Sequence, residues 1–224
     1  MFTTIADRYD LLNTLLSFRR DRTWRSFAAS RSEIPVGGLV LDIATGTAEL
    51  ARHLARQDCK STIIGIDSCS EMLTKAKAKL ATSPEKNRIQ LVLGDALKLP
   101  FLDNTFDYVT IGFALRNVTN IPGTFREMAR VAKPGSMVVS LELTRPSSSL
   151  ARAVYYLYLR RIAPHVGRLI SGKREAYTYL PESILEFPPP EEVKEIMQEA
   201  GLQKMKIYRL TLGAATVHTG IKGT

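Results

Sequence analysis

The segment Leu39-Val-Leu-Asp-Ile-Ala-Thr-Gly-Thr-Ala-Glu-Leu50 limits what this chain can fold into more than any other. An apolar run reaches an acid at Asp42, turns at Gly46 and passes straight into a helical pattern. A second apolar run, Thr62-Ile-Ile-Gly-Ile-Asp67, ends in another acid 25 residues after the first. This is the layout of a βαβ unit that holds a nucleoside. The turn brings backbone N–H groups close to a ligand, and the second acid can accept hydrogen bonds from ribose hydroxyls. On its own, the Asp42–Gly46–Thr47 group is equally compatible with a plain strand-to-helix turn.

The ligand class follows from what the turn lacks. Of the three glycines in a dinucleotide fingerprint only Gly46 is present, and Ala44 and Ala48 stand where a pyrophosphate would need the others. The expected ligand is therefore a nucleoside without a diphosphate, with S-adenosylmethionine as the candidate. Gly94-Asp95-Ala96 closes a third apolar run. Asp95 there either accepts the adenine amino group or simply opens an Asx turn. Three acids closing three successive strands argue together for a binding site more strongly than any one does alone.

The rest of the pattern alternates strand and helix. Strands are expected over 39–43, 61–67, 89–94, 106–113 and 136–143, and helices over 48–56, 71–81, 123–131 and 191–200. Ser70 is placed to cap the second helix, and Lys133-Pro134-Gly135 to stop the third. Two closing strands, near 204–210 and 214–221, are separated by a turn containing Gly213 and read as an antiparallel hairpin at the edge of an otherwise parallel sheet. Two segments fall outside the alternation. Residues 1–35 look helical, with Trp24 and Phe27 on one apolar face, and residues 148–187 interrupt the order before the last helix. Both are expected to cover the site, because a ligand of an open α/β sheet sits outside the carboxyl ends of its strands.

Several classes are set aside by composition. No apolar run approaches the roughly 18 to 20 residues of a membrane-spanning helix, and the N-terminus lacks the apolar core of a secretory signal, so a cytoplasmic protein is expected. Cys59 and Cys69 have no metal or redox spacing, and His53, His165 and His218 are scattered, so no metal site is expected. The net charge of +9 is unevenly placed: Arg145, Arg152, Arg160, Arg161, Arg168, Lys173 and Arg174 occur with no acid among them. Tyrosines and leucines interleave with these cations over 148–170. Such a stretch is either a helical lid with a solvated basic face, an anionic membrane contact or a nucleic-acid contact. No nucleic-acid motif accompanies it.

The fourth strand ends in Ile111-Gly112-Phe113-Ala114-Leu115-Arg116-Asn117-Val118. Polar groups directly after an apolar run can point into a reaction chamber; equally, Arg116 can form a salt bridge and Asn117 can serve a turn.

At these residues the chain resembles one family. Thr110-Ile-Gly-Phe-Ala-Leu-Arg-Asn-Val-Thr119, Tyr9-Asp-Leu-Leu-Asn13 with Leu16-Ser-Phe18 and Trp24-Arg25, and Arg174-Glu-Ala-Tyr-Thr-Tyr-Leu-Pro-Glu-Ser-Ile184 are similar to the quinone-biosynthesis C-methyltransferases that act on demethylmenaquinone and 2-methoxy-6-polyprenyl-1,4-benzoquinol. The resemblance covers nearly the whole chain. It implies a class I S-adenosylmethionine-dependent methyltransferase fold, a Rossmann-like seven-stranded mixed sheet with a helical cover, in a single domain. It also implies methylation of a ring carbon on a polyprenylated quinol, most readily demethylmenaquinol.

By position, the resemblance assigns Thr47, Asp67, Asp95, Ala96 and Gly112 to the donor, alongside Asp42 and Gly46 from the first turn. Arg116 and Asn117 fall beside the reacting ring, and Tyr177 and Tyr179 match the lid tyrosines that meet the substrate. Asp95, Asn117 and Arg116 are then the candidates to hold a water that relays the acceptor's proton. Gly46-Thr-Ala-Glu49 departs from the usual Gly-Thr-Gly-Asp, and Gly112 stands where some relatives carry serine. The partners expected are the quinol, a transient membrane surface against 148–170 and, in one reading, a second copy of the chain. The rival readings are the same fold acting on another lipid or a small phenol, and a donor-binding module without turnover that meets RNA or protein.

Overall fold

The computed structural model describes residues 9–58, 60–158, 161 and 175–223. Much of the basic stretch, Cys59 and His165 lie outside them, as do the side chains of Tyr177 and Tyr179. The chain opens with helices α1 (Tyr9–Leu16) and α2 (Arg20–Ser30). It then alternates through β1 (Leu39–Ile43), α3 (Glu49–Ala55), β2 (Thr62–Asp67), α4 (Ser70–Ala81), β3 (Ile89–Leu93) and β4 (Phe106–Gly112). A 3₁₀ turn (Leu115–Asn117) leads to α5 (Ile121–Val131), β5 (Ala132–Leu143) and α6 (Ser149–Leu157). Helices α7 (Glu175–Glu186) and α8 (Pro190–Glu199) precede β6 (Leu202–Leu210) and β7 (Ala215–Lys222).

The seven strands form one sheet in the order β3-β2-β1-β4-β5-β7-β6. The first five pair in parallel and β7 runs antiparallel to both β5 and β6, so the closing hairpin inserts its second strand into the sheet. The carboxyl ends of β1 to β5 therefore share one edge. Because the side-chain period of a strand is two, successive residues feed opposite cores. Val40 packs with Trp24, Ala28, Leu54 and Leu80 on the face covered by α2, α3 and α4. Leu41 and Ile43 pack with Phe125, Met128, Val193 and Met197 under α5 and α8. Burial on both faces explains why these strands read as unbroken apolar runs. Among the described residues no helix is long and apolar enough to cross a membrane.

Two local expectations are corrected. Ser70 does not cap its helix; it is the first helical residue, and Cys69 takes the extended capping position without a side-chain cap. The cause is Asp67, whose Oδ1 accepts the Cys69 N–H at 2.9 Å and sets the chain entry one residue early. Helix α5 stops at Val131, and Lys133-Pro134-Gly135 lies inside β5 as an irregularity in its pairing with β4. Gly135 supplies the positive φ of 78° that this bend requires.

The N-terminal cover is tied down by polar contacts as well as packing. Trp24 is buried against Phe113, and its indole N–H donates to Thr211 Oγ1 at 2.9 Å, joining α2 to the hairpin turn. Arg25 pairs with Asp21 at 2.5 Å, each side chain 8% exposed, and its guanidinium lies 5.0 Å from the centre of the Phe113 ring. Phe27, on the expected apolar face, meets Tyr208 edge-on.

Asp42 is a structural residue of this core. It is buried in β1 and accepts the Thr45 hydroxyl at 2.7 Å, which braces the turn from beneath. Burial pushes its carboxyl up to about 7, against the opposing pull of the Thr45 hydrogen bond and Arg25. The folded chain therefore keeps a proton that the unfolded chain releases near 3.8. Between those two values stability falls as pH rises, because the folded state binds more protons.

Two outcomes follow. Phe125→Ala, which empties a fully buried position on α5, should cost about 3–5 kcal/mol in urea unfolding. Asp42→Asn should abolish the loss of stability that the parent shows between pH 4 and about 7, a difference on the order of a few kcal/mol in unfolding experiments run across that range.

Candidate active site

The turn after β1 is built from three left-handed residues in five: Ala44 (φ 50°), Gly46 (φ 56°) and Ala48 (φ 64°). Such a conformation strains an alanine, and long-range hydrogen bonds hold it. Thr45 N–H donates to the Ile66 carbonyl at 3.0 Å, and Gly46 N–H donates to Asp67 Oδ2 at 2.7 Å. Asp67 thus binds the first turn through one oxygen and the second through the other. Burial raises its pKa above the usual carboxylate range, and its backbone hydrogen bonds pull it back.

Around Asp67 opens a cavity of about 400 Å³ at the carboxyl edge of the sheet. Of the residues singled out in the sequence, Gly46, Asp67, Asp95, Ala96, Gly112 and Asn117 line it. Ile66, Met72, Leu97 and Phe113 supply apolar walls. Asp95 also makes the Asx turn, accepting Leu97 N–H at 2.9 Å. Two carboxylates face this space, and no lysine, arginine or histidine among the described residues lines it. That charge pattern opposes a diphosphate and suits a nucleoside carrying positive charge, such as one with a sulfonium and an ammonium. The residues present fit S-adenosylmethionine: Asp67 can take the ribose hydroxyls, Asp95 and Ala96 the adenine edge, and the Gly46 loop the amino-acid end.

Asp42, Thr47 and Arg116 stand outside that cavity. Asp42 and Thr47 face a separate space of about 30 Å³ beneath the turn, with Arg25 and Glu49. Thr47 is buried and donates its hydroxyl to Asp10 Oδ1 at 2.6 Å. Lys79 joins the cluster, donating to Asp10 at 2.5 Å and to Glu49 at 2.8 Å. Helix α1 is thereby latched onto the donor loop through one carboxylate. The longer Glu49 is accommodated because it reaches Lys79 and Arg52.

Arg116 turns away to Glu142, the acid near the end of β5. The Arg116 Nη1 donates to Glu142 Oε1, and Glu142 also accepts the N–H groups of Arg116 (3.3 Å) and Leu143 (2.8 Å). Glu142 is fully buried; burial raises its pKa while the Arg116 charge holds it down. Burial likewise raises the Tyr155 hydroxyl on α6, opposed by the Arg116 charge, so the three groups act on one another. The Arg116 Nε is buried with no hydrogen-bond partner among the described residues. Asn117, one residue on, keeps its place in the 3₁₀ turn and lines the cavity around Asp67.

Sequence reasoning missed Glu142, although a lone acid inside the apolar run 136–143 was its signal. It also missed the Asp21–Arg25 pair, which a four-residue spacing of opposite charges in the helical N-terminal segment announces. The departures at 48 and 112 gain a physical account. Ala48 holds a backbone angle natural to the usual glycine. A Cβ at Gly112 would stand 2.8 Å from Leu50 Cδ2, so serine there requires the leucine to shift.

The likeness to known proteins extends over nearly the whole chain. The model of the ubiE/COQ5 methyltransferase family matches residues 1–222. The chain is 42% identical over 222 residues to a demethylmenaquinone methyltransferase of Roseiflexus sp. (strain RS-1), covering 99% of this chain and 92% of that one. It is 44% identical over 224 residues to a ubiquinone/menaquinone biosynthesis C-methyltransferase UbiE of Geobacter sulfurreducens, covering 100% and 87%. Among solved structures, an S-adenosylmethionine-dependent methyltransferase from Aquifex aeolicus superposes with a TM-score of 0.65 at 17% identity, over 95% of this chain and 97% of that one. The [4+2]-cyclase SpnF does so with 0.70 at 18%, over 91% and 82%, a likeness of fold alone. The chain belongs to the ubiE/COQ5 family and is an S-adenosylmethionine-dependent C-methyltransferase of the class I fold.

Proposed function

We propose that this enzyme methylates a ring carbon of a polyprenylated quinol, demethylmenaquinol first among them. The observation that carries the reading is the single cavity that joins Asp67 and Asp95 to Asn117 at the ends of β2, β3 and β4. Relatives named demethylmenaquinone methyltransferase, among them one from Staphylococcus haemolyticus at 38% identity, supply the acceptor class.

When bound, S-adenosylmethionine supplies an electrophilic methyl group. The chain's own residues orient and discharge the acceptor. Its ring hydroxyl must lose a proton so that density reaches the neighbouring carbon, and among the described residues no histidine or lysine lines the cavity beside the carboxylates Asp67 and Asp95. In this reading Asn117 and Asp95, which both line the cavity, hold a water that relays this proton. Arg116, with its Nε unpaired among the described residues, offers a donor to the developing phenolate oxygen. Glu142 neutralises much of the Arg116 charge, so Arg116 acts here by aimed hydrogen bonding more than by free charge. Helix α7, which packs on the 3₁₀ turn, carries Tyr177 and Tyr179 toward a role in acceptor selection and water exclusion. Helices α1, α2, α6 and α7 are read as the cover of one domain. The acceptor's tail resides in a bilayer, so the enzyme works as a peripheral protein at the inner membrane face, touching it through 148–170.

The test is methyl transfer from labelled S-adenosylmethionine to reduced demethylmenaquinone, with a benzoquinol analogue and the oxidised quinones in parallel. Label on the reduced naphthoquinol is the expected result. Tight donor binding with label on none of them would move the reading to another acceptor or to a binding module. In the same assay Arg116→Gln should lower kcat about a hundredfold. It should also lose about 3–5 kcal/mol of stability by stranding Glu142. The double variant R116Q/E142Q should recover most of the stability and none of the rate.

A further inference from the structure

A second cavity, of about 340 Å³, lies where the segment after β5, the start of α8 and the hairpin turn meet. Arg145, Arg152 and Arg209 line it, against one carboxylate, Glu191, which pairs with Arg209. Three guanidinium groups and one carboxylate leave two positive charges. Neither Arg145 nor Arg152 has a carboxylate partner among the described residues. Arg145 donates to the Phe187 carbonyl and Arg152 to the Ser147 carbonyl, each at 3.1 Å. A guanidinium has five N–H donors in a planar fork, so most of each remains for a ligand. Ser147, just ahead of α6, also lines the space, which adds the positive end of that helix. Fork-shaped donors of net positive charge match the oxygens of a phosphate.

The rim identifies the source of that phosphate. Leu212, beside Gly213 of the cavity wall, is 79% exposed. Leu150 and Leu157, 75% and 61% exposed, lie seven residues apart on one face of α6, the helix that carries Arg152. A soluble anion needs no such apolar fringe. A basic cavity beside one exposed leucine, next to a helix with an exposed leucine face, suits a leaflet, with headgroup phosphates against the arginines and leucines in the acyl boundary.

We propose that the cavity between Arg145, Arg152 and Arg209 binds the headgroup phosphate of an anionic phospholipid and so docks the enzyme on the membrane. The proposal rests on the reading that the acceptor carries a polyprenyl tail, and it assigns the contact to one built site. Retention should be measured on phosphatidylcholine vesicles with and without phosphatidylglycerol, at low ionic strength. The full chain should be retained on the anionic vesicles. R145Q/R152Q, and R152Q alone at an exposed position, should weaken the partition, the double variant by about tenfold or more. The control K77Q/K86Q, which removes the same charge from exposed positions at and beyond α4, should change it far less. Inorganic phosphate should release the chain more effectively than chloride of equal ionic strength.

Equal losses in both double variants, or equal release by phosphate and chloride, would reduce the contact to diffuse charge and overturn the site. Phosphate that raises the melting temperature of the parent but not of R152Q, without vesicle retention, would make it a site for a soluble anion and overturn the lipid. Capture by a polyuridylate in place of vesicles would likewise overturn it. Methyl transfer by the unaltered chain to a short-tailed quinol in solution tests the parent reading separately.

Discussion

One carboxylate organises the donor side of this enzyme. Asp67 closes β2 and accepts the Gly46 N–H through one oxygen and the Cys69 N–H through the other. The first bond holds a turn whose Ala44 and Ala48 both sit at positive φ. The second fixes where α4 begins. Were Asp67 to release the turn, the strained loop would relax and the backbone that approaches the ligand would move with it. Asp42 supports the same turn from below through Thr45, and Asp10 steadies it from above through Thr47. The loop is thus held from three sides by acids. Only Asp67 also faces the donor cavity.

The acceptor side follows a different logic. Arg116 and Glu142 form a buried ion pair between the turn after β4 and the end of β5. Such a pair contributes little net stability, since desolvation offsets much of the attraction, yet removing one partner is costly. Its value here is geometric. It holds the 3₁₀ turn against the sheet, which places Asn117 at the cavity wall. The helical cover is joined to this frame by specific contacts: Trp24 reaches the hairpin turn and Arg25 lies over Phe113. Both contacts fix the cover beside Phe113, which lines the cavity.

Much of this was legible in the chain. Two-sided burial turns parallel strands into plain apolar runs, so β1 to β4 lie within a residue or two of their expected places, and the last hairpin sits where its glycine-containing turn put it. The acids at 67 and 95 stood out as polar groups closing apolar strands; both line the cavity, and both also hold local turns. What local pattern misses is which way a side chain turns. Asp42 and Asp67 look alike in sequence, yet one is sealed under the loop and the other faces the cavity. Arg116 was read either as facing the acceptor or as forming a salt bridge; the salt bridge is present, and its partner, Glu142, is 26 residues away and becomes its neighbour only when β4 and β5 pair. Ser70 had the composition of a cap, and a long-range bond from Asp67 moved the helix start by one residue.

The most direct test of the account is calorimetric titration of S-adenosylmethionine into the parent chain and into Asp67→Ala, with folding of both checked by thermal unfolding. If Asp67 both shapes the loop and receives the ribose, the variant remains folded and its affinity falls at least about tenfold. A folded variant that binds the donor as tightly as the parent would contradict the assignment of the cavity and the role given to Asp67.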